Sequence, residues 1–147
     1  MTMTILHTSG PDAELEGRLG EELRAFNTRA TAGHERGGFT VKVTAPDGVL
    51  VGGLTAWTWG DCAGVELLWV DDAFRQEGWG GKLLAAAEAE AGRRGCRTVT
   101  VSTYSFQAPG FYAAHGYRET ARVPGVPGGH EDIYFIKFIE FIEPLTD

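Results

Sequence analysis

The sequence predicts an α+β fold whose sheet is mixed and mostly antiparallel, and three observations predict it. Several short segments alternate apolar with polar or small residues, the period of a strand, while one longer segment carries apolar residues at helical spacing and another is rich in helix formers. The third observation is one of order. Between the apolar runs "VELLWV" and "TVTVSTY" lies a helix-length segment of strong helix formers, and strand, helix, strand is how parallel neighbours are joined. At 147 residues and 43% hydrophobic, the chain suits one compact domain, residues 1–147, with its own core.

Taken in order, "MTILHTS" reads as a short opening strand. After Pro11 and Asp12, "AELEGRLGEELRAFNTRA" sets Leu15, Leu19, Leu23 and Phe26 on one helical stripe. A glycine-marked break at "AGHERGG" separates it from "FTVKVTA", in which Phe39, Val41 and Val43 alternate with other residues. Asp47-Gly48 is a hairpin turn leading into "VLVGGLTAWTW". A second turn at "GDCAG" leads into "VELLWV", whose apolar run suits a central strand. From Gly80 to Arg94 the chain favours helix, with basic residues in the last turn and Gly95 as a stop. "TVTVSTY" is a strand, Pro109 opens a short helix that Gly116 closes, and the tail from Glu119 reads as two strands around a Pro/Gly-rich connection. No long second helix fits between "FNTRA" and "FTVKV".

The formal charge of -7 and the absence of a basic stripe argue against a nucleic-acid partner, and none is expected. No apolar run reaches the roughly 18 residues of a membrane span, and no leader pattern opens the chain, so a cytoplasmic protein without a membrane partner is expected. Cys62 and Cys96 show neither CxxC spacing nor a metal-like pairing with His. Two buried free thiols and no metal are the expectation.

"FRQEGWGGKLL", residues 74–84, places three glycines at the mouth of a helix, where a side-chain cap would be ordinary. The first amides of a helix lack partners and sit in the positive end of its dipole, so glycines there leave room for an anion. Arg75 adds a fixed positive charge. Two phosphate loops fail on spacing: GxxxxGK[ST] has Leu83 after Lys82, and GxGxxG has Leu83 in its last place. A simple tight connection is the plain alternative.

Arg75-x-x-Gly78-x-Gly80 between a strand and a helix resembles the pyrophosphate motif of the GCN5-related N-acetyltransferase (GNAT) family. "FQAPGFYAAHGY" is similar to that family's late Phe-Tyr-x-x-x-Gly-aromatic segment, and the resemblance runs from about Val51 to Phe138. It implies a GNAT-like acyl-CoA N-acyltransferase fold, with helices flanking a sheet split into a V between two parallel strands. The implied co-substrate is acetyl-CoA, held at the loop by Arg75, Gln76, Glu77, Gly78, Trp79, Gly80, Gly81 and Lys82. The backbone of Leu68, Trp69 and Val70 is implied to pair with its pantetheine arm and to offer an N–H to the thioester oxygen. Gln107 stands where the family often has Asn on that arm; the longer side chain makes the match inexact.

An attacking amine has to shed a proton, its ordinary pKa being about 10.4. Glu66, the one carboxylate within "VELLWV", is the candidate base, directly or through water; the plain alternative is an ion pair or a solvent-facing position at a sheet irregularity. Tyr112 matches the family position that protonates the leaving thiolate. It could equally hydrogen-bond the sulfur or only pack.

The acceptor is less legible. Trp57 and Trp59 share a strand face, and Tyr104 and Phe106 end another strand, so an aromatic wall for an amine or a cation competes with plain core or dimer packing. His130 is a ligand contact or an exposed turn histidine, and Glu131 and Asp132 after it leave room for an acidic acceptor rim. The resulting expectation is a homodimeric N-acetyltransferase that transfers acetyl from acetyl-CoA to a primary amine of a small molecule in a ternary complex. The alternatives are a non-catalytic acyl-CoA sensor and an enzyme acting on peptide or protein amines.

Overall fold

The computed structural model describes residues 1–140, divided between two compact units, Met1–Glu35 and the chain from Arg36 onward. In the first, helix α1 spans Ala13–Ala30, and the Asp12 carboxylate caps it by accepting the Leu15 N–H at 2.9 Å. Leu15, Leu19, Leu23 and Phe26 are all more than half exposed, so α1 buries none of its residues. The opening segment does not form the expected strand: residues 1–8 have no regular structure. Thr and Ile favour extended backbone there, but a strand exists only through its pairing, and local preference does not supply a partner.

The second unit holds a six-stranded sheet. Its strands are β1 (Gly37–Thr44), β2 (Leu50–Trp59), β3 (Cys62–Val70), β4 (Thr98–Tyr104), β5 (Arg118–Val126) and β6 (His130–Phe138), in the spatial order β1-β2-β3-β4-β6-β5. All neighbours are antiparallel except β3 and β4. The expected hairpin forms between β1 and β2, with Gly48 at φ 89° and Asp47 Oδ1 accepting the Val49 N–H at 3.1 Å.

The crossover from β3 to β4 runs through a 3-10 turn (Asp72–Phe74) and helix α2 (Trp79–Arg93). Leu83, Leu84, Ala87 and Ala91 of α2 are buried, and the last three join a core with Leu54, Val65, Val99, Val101, Ile133 and Phe135. Gly95, at φ 92°, ends the helix, and the Cys96 N–H returns to the Ala91 carbonyl. Helix α3 (Pro109–Ala114) starts at Pro109 and is closed by Gly116 at φ 88°. Of the two thiols, Cys96 is buried as expected; Cys62 is only half-buried, because it opens β3 beside the Gly60-Asp61 turn, and both are free. Residues 141–147, the end of the expected tail, lie outside the described residues.

Candidate active site

The parallel pairing of β3 with β4 covers only Cys62–Val65 against Thr98–Val101. Beyond it β3 stays with β2, Leu67 opposite Thr55 and Val70 opposite Gly52, while β4 stays with β6. The sheet is therefore split, and the β4-facing edge of Glu66–Val70 has no strand partner among the described residues. A β-bulge opens the split: Val65 lies opposite Ala56 and Leu67 opposite Thr55, so Glu66 is the extra residue. A central strand read as too apolar for solvent becomes exposed in this half, Leu67 at 68% and Trp69 at 49%. The cause is loss of the neighbouring strand.

A cleft of about 820 Å³ fills the split and continues to the start of α2. It is lined by Val65–Val70, by the consecutive Ser102 and Thr103 near the end of β4, by Phe106, Gln107 and Ala108 after it, by the α2 mouth and by one face of α3.

At the α2 mouth, Gln76 (φ 68°) and Gly78 (φ 83°) are both left-handed, and Gly78 stands at the helix N-cap without a side-chain cap. Space for a Cβ on Gly78 is open, so its glycine answers to the backbone. Trp79, Gly80 and Gly81 are the first three helical residues, whose N–H groups have no acceptor in the helix; the Lys82 N–H already donates to the Gly78 carbonyl. A Cβ on Gly81 would stand 2.7 Å from His115 Nε2, and one on Gly80 3.2 Å from Phe111. Those two glycines also let α2 approach α3, a role the sequence reading did not include. The spacing of Phe111 on α3 and His115 at its C-cap, four residues on, was the available signal.

Arg75 Nε donates to the Val70 carbonyl at 3.1 Å and its Nη1 lies 2.5 Å from Asp72, which fixes a half-exposed guanidinium at the end of β3. Glu77 accepts from the Trp79 indole N–H at 3.3 Å, and Lys82 Nζ sits 4.3 Å over the Trp79 ring. Open backbone donors, one fixed cation and a bare strand edge suit a ligand that joins a diphosphate to an extended amide-bearing arm.

Residues 4–117 match the sequence pattern described as the acetyltransferase (GNAT) family. The chain belongs to the GNAT family. One relative in that family, blasticidin-S acetyltransferase of Streptomyces morookaense, is 46% identical over 86 residues, 56% of this chain and 61% of its own length. The chain thus spans less than two thirds of that relative. A crystal structure of an acetyltransferase from Bacillus cereus superposes with a TM-score of 0.79 at 28% identity, covering 91% of this chain and 98% of the other. A Bacillus anthracis protein assigned as a streptothricin acetyltransferase, solved in complex with acetyl coenzyme A, shares the fold at a TM-score of 0.62 and 19% identity, over 70% of this chain and 63% of its own.

Within this GNAT chain, the late motif brings Tyr112 to the cleft. The side chain is 6% exposed and its ring packs edge-on against Phe111 and Tyr117. Among the described residues its hydroxyl has no hydrogen-bond partner. Burial raises the phenol above its ordinary value near 10, so it keeps its proton at neutral pH. Glu66 lines the same cleft, exposed and in no ion pair among the described residues.

Gln107 folds back on the strand end. Its Oε1 accepts from the Thr103 hydroxyl at 3.1 Å and from the Tyr104 N–H at 3.0 Å, which leaves the amide NH2 for a ligand.

Trp57 and Trp59 do not reach the cleft; they are half-buried, and the Arg36 guanidinium covers both rings at 4.9 and 5.5 Å. Gly64 makes room for the Trp57 ring, which a Cβ there would strike. His130 is not an exposed turn residue: it opens β6 half-buried, its Nδ1 is 2.9 Å from the Ser105 hydroxyl, and its ring meets Phe106 edge-on at 4.9 Å. No group of His, Cys, Asp or Glu able to hold a metal occurs among the described residues, and no described helix is long and apolar enough to cross a membrane.

Proposed function

We propose that this protein is an acetyl-CoA-dependent N-acetyltransferase that acetylates a primary amine of a small molecule by direct attack in a ternary complex. The observation that carries the reading is the junction of three features in one cleft: the open amides of the α2 mouth, the bare edge of β3 and the accessible phenol of Tyr112. The fold neighbour solved with acetyl coenzyme A supports the choice of ligand. When bound, acetyl-CoA supplies an activated acetyl thioester.

In this reading the N–H groups of Trp79, Gly80 and Gly81 hold the diphosphate with Arg75 beside them, while Gln76, Glu77, Gly78 and Lys82 shape the loop. Leu68, Trp69 and Val70 offer backbone groups to the pantetheine arm, and the Gln107 NH2 adds a donor. Glu66, on its bulge, takes the proton of the incoming amine directly or through water.

Tyr112 acts by donating a hydrogen bond to the leaving sulfur. Burial pushes the phenol up, further from an ordinary thiol, so passing its proton fully to the leaving thiolate would be uphill. A hydrogen bond from it requires no such transfer.

The name of the Streptomyces relative supports a small-molecule acceptor over a protein one. We further propose that residues 1–147 work as one domain, a reading supported by the family match across both compact units, in a cytoplasmic homodimer. Thiol release from acetyl-CoA, measured with a panel of polyamines, aminoglycosides, amino acids, peptides and blasticidin S, tests the function. Turnover confined to small amines is expected; release only with peptides would overturn the acceptor class, and no calorimetric binding of coenzyme A would overturn the whole reading.

A further inference from the structure

On the sheet face opposite α2 and α3, the end of β4 meets the start of β6. Tyr104 lies directly opposite Asp132 and Ser102 opposite Tyr134, while between them Thr103 and Ile133 point into the core. Directly opposed residues share a face, so Tyr104, Asp132 and Tyr134 stand together on the outer one. On the other flank of Asp132 is Val123 of β5.

Phe106 connects this corner to the cleft. Its ring stacks on Tyr104 at 5.5 Å and is braced edge-on by His130, while the residue itself lines the cleft. Phe106 thus belongs both to the cleft wall and to this corner, and a group held against Tyr104 lies beside the cleft.

The two neighbouring acids differ in what they have to bind. Glu131 lies 3.4 Å from Arg122, which also pairs with Glu119. Asp132 is half-buried and has no ion pair among the described residues; Tyr104 and Val123 flank it across the sheet, and His130 and Tyr134 lie two residues away on the same face of β6. An unneutralised carboxylate beside two stacked aromatic faces attracts an organic cation twice, by charge and by the ring quadrupoles, and a planar guanidinium suits both.

We infer that the acceptor is a small amine carrying a second cationic group, of guanidinium type, and that Asp132 with the Phe106–Tyr104 wall receives that group. This deepens the acetyltransferase reading and rests on it. The residues concerned are specificity determinants at a distance from the reacting atoms; they leave the handling of acetyl-CoA to the α2 mouth.

Calorimetry on the full chain tests it with three probes: agmatine, which is an alkylamine ending in guanidinium, butylamine, which lacks that group, and a tripeptide containing arginine. Each is titrated with and without saturating coenzyme A, and coenzyme A is titrated alone. Wild-type protein is expected to bind agmatine at least about tenfold more tightly than butylamine. Asp132→Asn and, separately, Tyr104→Leu should remove most of that preference while coenzyme A binding stays as in wild type, which also shows that each variant is folded. Equal binding of agmatine and butylamine, or a preference that survives both substitutions, overturns the inference; tighter binding of the tripeptide than of agmatine overturns its small-molecule form. Failure of coenzyme A to bind would instead sink the acetyltransferase reading, whatever agmatine does.

Discussion

The two halves of β3 are one strand with two environments. Cys62–Val65 pairs on both edges, and Ala63, Gly64 and Val65 are buried; Glu66–Val70 pairs on one edge only, with Glu66, Leu67 and Trp69 exposed. Composition does not separate them, since both are mainly apolar. What separates them is one extra residue at Glu66 and the turning away of β4, and the half that loses its neighbour is the half that lines the cleft. A sheet buried on both edges stabilises, whereas a sheet edge held open inside a domain is a binding site for another extended chain.

The largest expected effect falls on the paired half. Gly64→Ala would drive a Cβ into the Trp57 ring, and overpacking of this kind costs up to about 3 kcal/mol. A drop in Tm by that measure, with coenzyme A affinity of the remaining folded protein preserved, is the expected result. On the split half, Gly78→Asp forces a left-handed residue away from glycine at φ 83° and adds an anion where a diphosphate is to bind. Coenzyme A affinity is expected to fall on the order of 100-fold by calorimetry, with a smaller change in Tm.

Tyr112→Phe keeps the ring packing and removes one hydroxyl, so kcat should fall about tenfold with Tm nearly unchanged; full activity would limit the residue to packing. Glu66→Gln should lower kcat/KM by a similar or smaller factor, about threefold to tenfold at neutral pH, and flatten its acid limb. Retention of wild-type kcat/KM across pH would remove Glu66 from proton transfer.

The smallest effect is one of pH. Burial raises both the Tyr112 and Tyr117 phenols, and the Glu88 carboxylate, which accepts the Tyr117 hydroxyl at 3.2 Å, raises Tyr117 further. The folded protein then holds protons that the unfolded chain releases near pH 10, so this stability is complete below about pH 10 and is lost as pH rises beyond it. Thermal melts should show the decline, and Tyr117→Phe should make it shallower.

Much of this fold was legible because its signals are local. Asp47-Gly48 turns a hairpin, Pro109 and Gly116 bracket a helix, and glycines at 78, 80 and 81 mark a helix mouth, each acting through neighbouring backbone. The opening segment misled for the opposite reason: its extended residues have the preference of a strand, yet pairing depends on a partner elsewhere. Trp57 and Trp59 illustrate the same limit, since two aromatics on a strand face say nothing of the Arg36 guanidinium that covers them.

By itself the sequence determined the order of elements from α1 onward, the hairpin, the parallel crossover and the residue types at the α2 mouth, because caps, turns and periodicity act within a few residues. Only the tertiary structure decided where β3 and β4 part, that Glu66 is a bulge, that Gly80 and Gly81 admit α3, and that Asp132 stands between Tyr104 and Val123. Those are matters of register and close approach between segments far apart in the chain, and no short-range pattern encodes them.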